Sequence, residues 1–153
     1  MAFELKSAFV RENEIIAKKY TCNGADVSIP LNWTDPPEGT KSFALIVADP
    51  DAPSGTFVHW VLYDLSGDVR RLAEKIPSNR VLENGAKQGV NDFHKIGYRG
   101  PCPPHGHTHK YVFTLYALDR MTGLLPGATK EQLLRAIQEH ILAEAQLIGT
   151  YAR

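Results

Sequence analysis

Three short runs of aromatic and β-branched residues, each followed by turn-forming residues, constrain the fold of this chain most strongly. They span residues 42–48 (SFALIVA), 57–65 (FVHWVLYDL) and 111–118 (YVFTLYAL). Such residues favour strands, and runs of this length and composition predict strands with both faces buried. Shorter alternating stretches begin at Phe3 and Leu31, and ten Pro and twelve Gly punctuate the chain. We therefore expect a mainly β fold with many strands joined by turns.

The apolar residues of the C-terminal region recur with a different period. Thr129 and Gln132 have the spacing of a helix capping box. Apolar residues then recur at four-residue intervals, at Leu133, Ile137, Ile141 and Ala145. This stripe predicts an amphipathic helix that continues to about Gly149, a residue type that often ends helices. One helix packed on a β core is the expected arrangement.

Length and charge limit the classes of function. A chain of 153 residues fits one domain, 1–153, and its apolar fraction of 43% is sufficient for a packed core. Seventeen basic residues balance seventeen acidic ones, which argues against a nucleic-acid partner. No apolar stretch is long enough to cross a bilayer, so membrane insertion is not expected.

The N-terminal residues and the cysteines bear on location. The first twenty residues contain no apolar core of signal-peptide length, so we expect a mature chain that starts near Met1 and is cytoplasmic. Cys22 and Cys102 are too few for a disulfide framework and are compatible with a reducing compartment. Whether these two cysteines pair is left open by the sequence.

Polar residues occur at the ends of the predicted strands. The turn DPDAP follows the first buried run directly and places Asp49 in a stiff segment, where it either contributes to a site or only caps the turn. His59 interrupts an apolar strand, and it is either a satisfied core residue or a ligand-binding one. A DPDAP carboxylate could support its charged form. His109 and Tyr111 alternate, so they point to the same face of the third strand.

Several segments together resemble a known family. They are YTCNG at 20–24, DPDAP at 49–53, FVHWVLY at 57–63, GYRGPCPP at 97–104, HKYVF at 109–113 and LIGTYAR at 147–153. In this order they are similar to the signature segments of the phosphatidylethanolamine-binding protein family, which includes animal Raf kinase inhibitor proteins, and most similar to its bacterial branch. The resemblance implies an antiparallel β-sandwich of two sheets with a C-terminal helix and a small, preformed anion pocket.

The resemblance also implies a set of pocket residues. Matched motif by motif, the ligand-binding positions are Asp49, Pro50, His59, Gly100, Pro101, His109 and Tyr111. Imidazole N–H groups, a phenol O–H and loop N–H groups are suitable donors to a phosphate. Lys110, between His109 and Tyr111, stands where the family usually has Arg and is expected to point away from the pocket.

We accordingly expect a ligand-binding protein and not an enzyme, with no cofactor. The expected ligand is a small phosphate-containing anion, such as a phospholipid headgroup, a phosphometabolite or a phosphopeptide. By the same resemblance, the protein could act as a regulator that inhibits a kinase or a protease. A homodimer and the identity of any protein partner are left open.

Two further alternatives follow from the residues themselves. His59, His105, His107 and His109 are ligand types that suit zinc or copper, although no acidic partner lies at a matching spacing. A hydrolase could use Cys102 or Ser54 as nucleophile, but neither lies in a recognisable nucleophile motif.

Overall fold

The computed structural model describes residues 2–153 and forms eight strands and one α-helix within that range. The strands are β1 (Glu4–Lys6), β2 (Leu31–Thr34), β3 (Ser42–Asp49), β4 (Phe57–Ser66), β5 (Arg71–Leu72), β6 (Lys87–Gln88), β7 (Thr108–Leu118) and β8 (Ile141–Ala152). The helix is α1 (Lys130–Ile137), and Lys18–Tyr20 form a 3₁₀ turn. The three runs that the sequence identified are the cores of β3, β4 and β7.

The strands form two antiparallel sheets. The smaller sheet has the order β1-β2-β5, and the larger has the order β6-β4-β3-β7-β8. β3 lies at the centre of the larger sheet, between β4 and β7. Because β3 runs opposite to both neighbours, its last residue lies beside the first residues of β4 and β7. The predicted fold of two antiparallel sheets is confirmed.

Both faces of the larger sheet are covered, which explains why β3 and β4 are apolar throughout. On one face Phe43 packs edge-to-face on Trp33 of the smaller sheet, with ring centroids 5.3 Å apart. On the other face the buried Leu133 and Ile137 of α1 pack in one cluster with Val61 and its neighbours. A central strand between two covering layers has no solvent-facing side, so the alternation of polar residues disappears.

The predicted helix is correct at its start and wrong in its extent. Thr129 and Gln132 form the capping box, with Gln132 N–H donating to Thr129 Oγ1 at 3.1 Å and Thr129 N–H donating to Gln132 Oε1 at 2.9 Å. The helix ends at Ile137, however, and Ile141 and Ala145 belong to β8. β8 pairs along the full length of β7, from Ile141 opposite Leu118 to Ala152 opposite Thr108.

The apolar residues of the β8 segment fit both a helical period and a strand period, and the pairing with β7 makes this segment a strand. Residues 141, 143, 145, 147, 149 and 151 of β8 are apolar or glycine, and this alternation suits a half-buried strand as well as the four-residue stripe suits a helix. Gly149 does not end a helix. It lies opposite Tyr111, and a Cβ there would lie 2.6 Å from the Ile16 side chain.

Cys22 and Cys102 form a disulfide, with Cα atoms 5.4 Å apart, which answers the question that the sequence left open. The bond joins the segment after the 3₁₀ turn to the loop before β7. Disulfides are typical of oxidising compartments and also occur inside hyperthermophiles. The cytoplasmic location therefore stays a prediction.

No helix within residues 2–153 is both long enough and apolar enough to span a membrane.

Candidate functional site

A pocket of about 330 Å³ lies at the end of the larger sheet where β3 ends and where β4 and β7 begin. Its lining residues are Asp49, Ala52, Pro53, Ser54, Phe57, His59, Phe93, Cys102, Pro103, Pro104, His109 and Tyr111. The antiparallel order of the three strands brings Asp49, His59, His109 and Tyr111 together, although 62 positions separate the first from the last.

Asp49 is a buried carboxylate with both oxygens engaged. Its Oδ1 accepts a hydrogen bond from the Asp51 N–H at 2.8 Å, which closes the DPDAP turn. Its Oδ2 accepts from His109 Nδ1 at 2.6 Å. Only 5% of the Asp49 side chain and 7% of the His109 side chain are exposed, so water screens this contact poorly. The turn-capping role and the position in the pocket, which the sequence posed as alternatives, are both present.

His59 occupies a β-bulge. In the ladder between β3 and β4, Val47 pairs with Trp60 and Ala48 pairs with Val58, so His59 is the extra residue. Bulges commonly re-aim a side chain beside a site. The Nδ1 of His59 donates to the Arg99 carbonyl at 2.7 Å, because a carbonyl oxygen can only accept.

The surroundings of His59 do not favour its charged form, which a DPDAP carboxylate could have supported. The Asp49 carboxylate bonds His109 and not His59. Burial lowers the pKa of His59, and this effect outweighs the opposing influences of the Arg99 carbonyl and the Asp49 charge. A neutral ring with its proton on Nδ1 leaves Nε2 as a hydrogen-bond acceptor.

Tyr111 carries the one buried side-chain polar atom of residues 2–153 that lacks a hydrogen-bond partner, its hydroxyl oxygen. As the alternation predicted, Tyr111 and His109 line the same pocket from one face of β7. The Tyr111 ring also meets the His59 ring edge-to-face, with centroids 5.3 Å apart. Burial raises the pKa of Tyr111 well above its usual value, so the hydroxyl keeps its proton and is a donor.

Apolar walls, which the sequence pattern did not predict, surround these polar groups. Phe57 and Phe93 pack edge-to-face at 4.8 Å, and each also contacts the His59 ring, at 5.2 and 5.6 Å respectively. Phe57 could have been found, since it lies two residues before His59, and residues at that spacing share one face of a regular strand. Phe93 lies in a long irregular segment and gave no signal in the sequence.

Three of the predicted ligand-binding residues do not line the pocket. Pro50 lies in the exposed turn after β3, and Gly100 and Pro101 contact the segment that follows the 3₁₀ turn instead. The Gly100 N–H donates to Asp26 Oδ1 at 2.8 Å, and the Pro101 carbonyl accepts from the Cys22 N–H at 3.1 Å.

A side chain at position 100 would not fit, because a Cβ there would lie 2.1 Å from the Tyr20 carbonyl oxygen. The contacts of Gly100 and Pro101 hold the loop whose later residues, Pro103 and Pro104, form the pocket wall.

Lys110 points away from the pocket, as expected. It is exposed, and its Nζ lies 3.1 Å from an Asp51 carboxylate oxygen. The Lys110 N–H also donates to the same carboxylate at 2.8 Å, which lowers the pKa of Asp51. These contacts fasten the DPDAP turn to the start of β7.

The metal alternative finds no support in this geometry, and of the two nucleophiles of the hydrolase alternative Cys102 is occupied whereas Ser54 lines the pocket. Residues 2–153 contain no group of three or more His, Cys, Asp or Glu side chains placed to share a metal ion. The rings of His107 and His109 lie 6.5 Å apart, and His107 is exposed whereas His109 is buried. The Cys102 sulfur is held in the disulfide, so it is not available as a thiolate nucleophile.

Two larger grooves lie elsewhere on the surface. One, of about 460 Å³, lies between β1 and β8, and the other, of about 590 Å³, lies beside α1. Neither groove is lined by a histidine or by any of the buried polar side chains. The smaller pocket is therefore the candidate site, because a few convergent polar groups in an apolar cavity are typical of ligand sites.

Comparison with known proteins identifies the family. The sequence profile of the phosphatidylethanolamine-binding protein (PEBP) family matches residues 6–152. The chain belongs to the PEBP family. Among curated relatives of this PEBP-family chain, a "UPF0098 protein" of Aquifex aeolicus is 49% identical, covering 98% of this chain and 88% of the relative. A "UPF0098 protein" of Methanothermobacter thermautotrophicus is 47% identical, covering 97% and 98%.

Solved structures of PEBP homologues share the whole fold. A PEBP homologue from Chlamydia trachomatis superposes with a TM-score of 0.91 at 43% identity, covering 99% of this chain and 98% of that one. Escherichia coli YbcL, described as a new member of the mammalian PEBP family, gives a TM-score of 0.89 at 29% identity, with coverage of 100% and 99%.

Proposed function

We propose that this PEBP-family protein binds small phosphate monoesters in the pocket between β3, β4 and β7, and that it acts by binding and not by catalysis. The observation that carries the proposal is the buried Tyr111 hydroxyl without a partner. Leaving such a group unsatisfied costs about 1–3 kcal/mol, so it calls for a specific explanation. An oxygen of a bound ligand would accept its proton and recover that cost.

The histidines favour a ligand that can both donate and accept hydrogen bonds. In the neutral rings the Nδ1 protons of His59 and His109 are used on Arg99 and Asp49, so each Nε2 is an acceptor. The expectation that these rings donate to the ligand would hold only for doubly protonated rings. A phosphate monoester with one proton left can donate to a neutral Nε2 while its other oxygens accept from Tyr111.

Affinity should therefore fall as pH rises. The second pKa of a phosphate monoester is about 6, so above that pH the ligand loses the proton that a neutral histidine requires. Burial lowers the pKa of His59, which favours its neutral ring, and a neutral His59 with its proton on Nδ1 cannot donate from Nε2. The buried Asp49 charge then faces a dianion, which increases repulsion.

The apolar walls suit the part of the ligand beyond the phosphate. Phe57, Phe93 and Pro103 leave a pocket of about 330 Å³, which fits a headgroup or a small metabolite. A regulatory role toward a kinase or a protease, as the Raf kinase inhibitor relatives would suggest, would then depend on occupancy of this pocket.

Calorimetric titration tests the proposal. O-phosphorylethanolamine and inorganic phosphate are titrated at pH 6 and pH 8 into the wild type and into Tyr111→Phe, in a buffer that contains no phosphate. We expect binding at pH 6, a loss of about tenfold in Tyr111→Phe from the missing charge-assisted hydrogen bond, and weaker binding at pH 8.

Tyr116→Phe is the matched control, since Tyr116 lies on the same strand but outside the pocket. Its affinity should equal that of the wild type. Affinity that is equal at pH 6 and pH 8, or equal in Tyr111→Phe and the wild type, would contradict the proposal.

A further inference from the structure

Arg99 places a positive charge beside the pocket. Its guanidinium carbon lies 5.8 Å from the centroid of Phe93, one of the two aromatic wall residues. The side chain is exposed, and among residues 2–153 it forms no ion pair and no side-chain hydrogen bond. All five N–H donors of this guanidinium are therefore available to a ligand.

The main chain of Arg99 is fixed to the pocket. Its N–H donates to the His59 carbonyl at 3.1 Å, and its carbonyl accepts from His59 Nδ1 at 2.7 Å. Arg99 is thus bonded at its backbone to one pocket residue and stacked through its side chain on another. The contact with Phe93 restrains the side chain between these two anchors, which keeps the charge beside the pocket.

We propose that Arg99 is a specificity-determining residue, which selects phosphate monoesters that carry a second anionic group such as a carboxylate. The inference rests on the proposed function, because it assigns a role to the part of the ligand that extends past the phosphate. Arginine presents a planar pair of donors that matches a carboxylate in bidentate geometry. An ammonium group in the same place would be repelled.

Two ligands that differ by one carboxylate test this role. O-phospho-L-serine is O-phosphorylethanolamine with a carboxylate added at the carbon that bears the amine. At pH 6 we expect the wild type to bind O-phospho-L-serine about twofold to fivefold more tightly, the range of an exposed ion pair. In Arg99→Gln the ratio of the two dissociation constants should fall to about 1, and Arg99→Lys should keep part of the preference.

Arg70→Gln is the matched control. Arg70 is also exposed and lies over an aromatic ring, with its guanidinium carbon 5.9 Å from the Phe43 centroid, but Phe43 is a core residue and not a wall of the pocket. The preference in Arg70→Gln should equal that of the wild type. Thermal unfolding of each variant shows whether the fold is retained. If Arg99→Gln does not fold, the comparison of Arg99→Lys with the wild type still tests the role of Arg99.

The outcomes separate this inference from the proposed function. If neither ligand binds the wild type, the proposal that this pocket binds phosphate monoesters is wrong. If both bind with equal affinity, or if the preference survives in Arg99→Gln, the phosphate pocket stands and the role of Arg99 is wrong. Glycerophosphoserine and glycerophosphoethanolamine form a parallel pair of phosphodiesters. A preference confined to that pair would assign the second anion to a lipid headgroup and overturn the choice of a monoester.

Discussion

The Nδ1 atom of His109 lies 2.6 Å from the Oδ2 atom of Asp49, and this buried pair joins the start of β7 to the end of β3. A second Asp–His pair, Asp119 with His140, lies near the opposite end of β7 at 3.0 Å. The two pairs differ mainly in burial. The side chains of the first are 5% and 7% exposed, whereas those of the second are 45% and 31% exposed.

Asp49→Ala should destabilise the fold much more than Asp119→Ala. Removing one partner of a buried pair leaves the other without compensation, which costs about 3 kcal/mol, whereas an exposed pair contributes about 1 kcal/mol or less. Urea denaturation at pH 7 gives both free energies of unfolding. Equal losses in the two variants would show that burial does not strengthen the Asp49–His109 contact.

The free energy of unfolding without ligand should decrease as pH falls from 7 to 5, in part because of His59. Burial lowers the pKa of His59 in the folded state, so below its ordinary value of about 6.5 the unfolded chain binds more protons. Protonation then favours unfolding, with a slope of at most about 1.4 kcal/mol per pH unit from this one group.

Urea denaturation at pH 5, 6, 7 and 8 measures the slope in the wild type and in His59→Gln. The variant should show a shallower dependence than the wild type does. A His59→Gln curve parallel to that of the wild type would contradict a lowered pKa for His59. Ligand affinity should change in the opposite direction, increasing toward low pH.

Tyr111→Phe should not destabilise the ligand-free protein. The hydroxyl that it removes is buried without a partner, so its loss is neutral or stabilising by about 1 kcal/mol. Tyr98→Phe is the contrasting variant, because the Tyr98 hydroxyl donates to the Tyr20 carbonyl at 2.7 Å in a buried setting, and its loss should cost about 1–3 kcal/mol. Thermal unfolding in phosphate-free buffer measures the stability of both variants. A larger loss in Tyr111→Phe than in Tyr98→Phe would show that the Tyr111 hydroxyl has an internal partner.

Reduction of the Cys22–Cys102 disulfide should lower the free energy of unfolding by about 4 kcal/mol. The bond closes a loop with a sequence separation of 80, and long loops lose the most entropy on cross-linking. The measurement is urea denaturation with and without dithiothreitol, with mass spectrometry to confirm two thiols. The double variant Cys22→Ala with Cys102→Ala should start at the lower stability and be insensitive to reductant.

Local patterns in the sequence were sufficient for some features of the fold and the site. The β-branched and aromatic runs predicted β3, β4 and β7 because strand preference and burial act on neighbouring residues. The capping box at Thr129 predicted the start of α1 for a similar reason. Alternation placed His109 and Tyr111 on one face, since the side-chain period of a strand is fixed at two.

The sequence pattern failed where two local signals competed. Ile141 and Ala145 fit a helical stripe, but they also fit the alternation of a strand. The long ladder between β7 and β8 resolved that competition, and its hydrogen bonds join residues that are remote in sequence. Intrinsic preference is weak beside such non-local pairing, so the segment became β8 and α1 ended at Ile137.

The sequence alone determined which residues are strand cores, which polar side chains stand at strand ends, and which family the segments resemble. Only the tertiary structure decided the partners: Asp49 bonds His109 and not His59, Cys22 pairs with Cys102, and Phe93 forms a pocket wall. Strand preference acts over a few residues, whereas a hydrogen bond or a disulfide depends on distances that exist only after the sheets have packed. The unpartnered Tyr111 hydroxyl is a property of that packing and could not be predicted from composition or spacing.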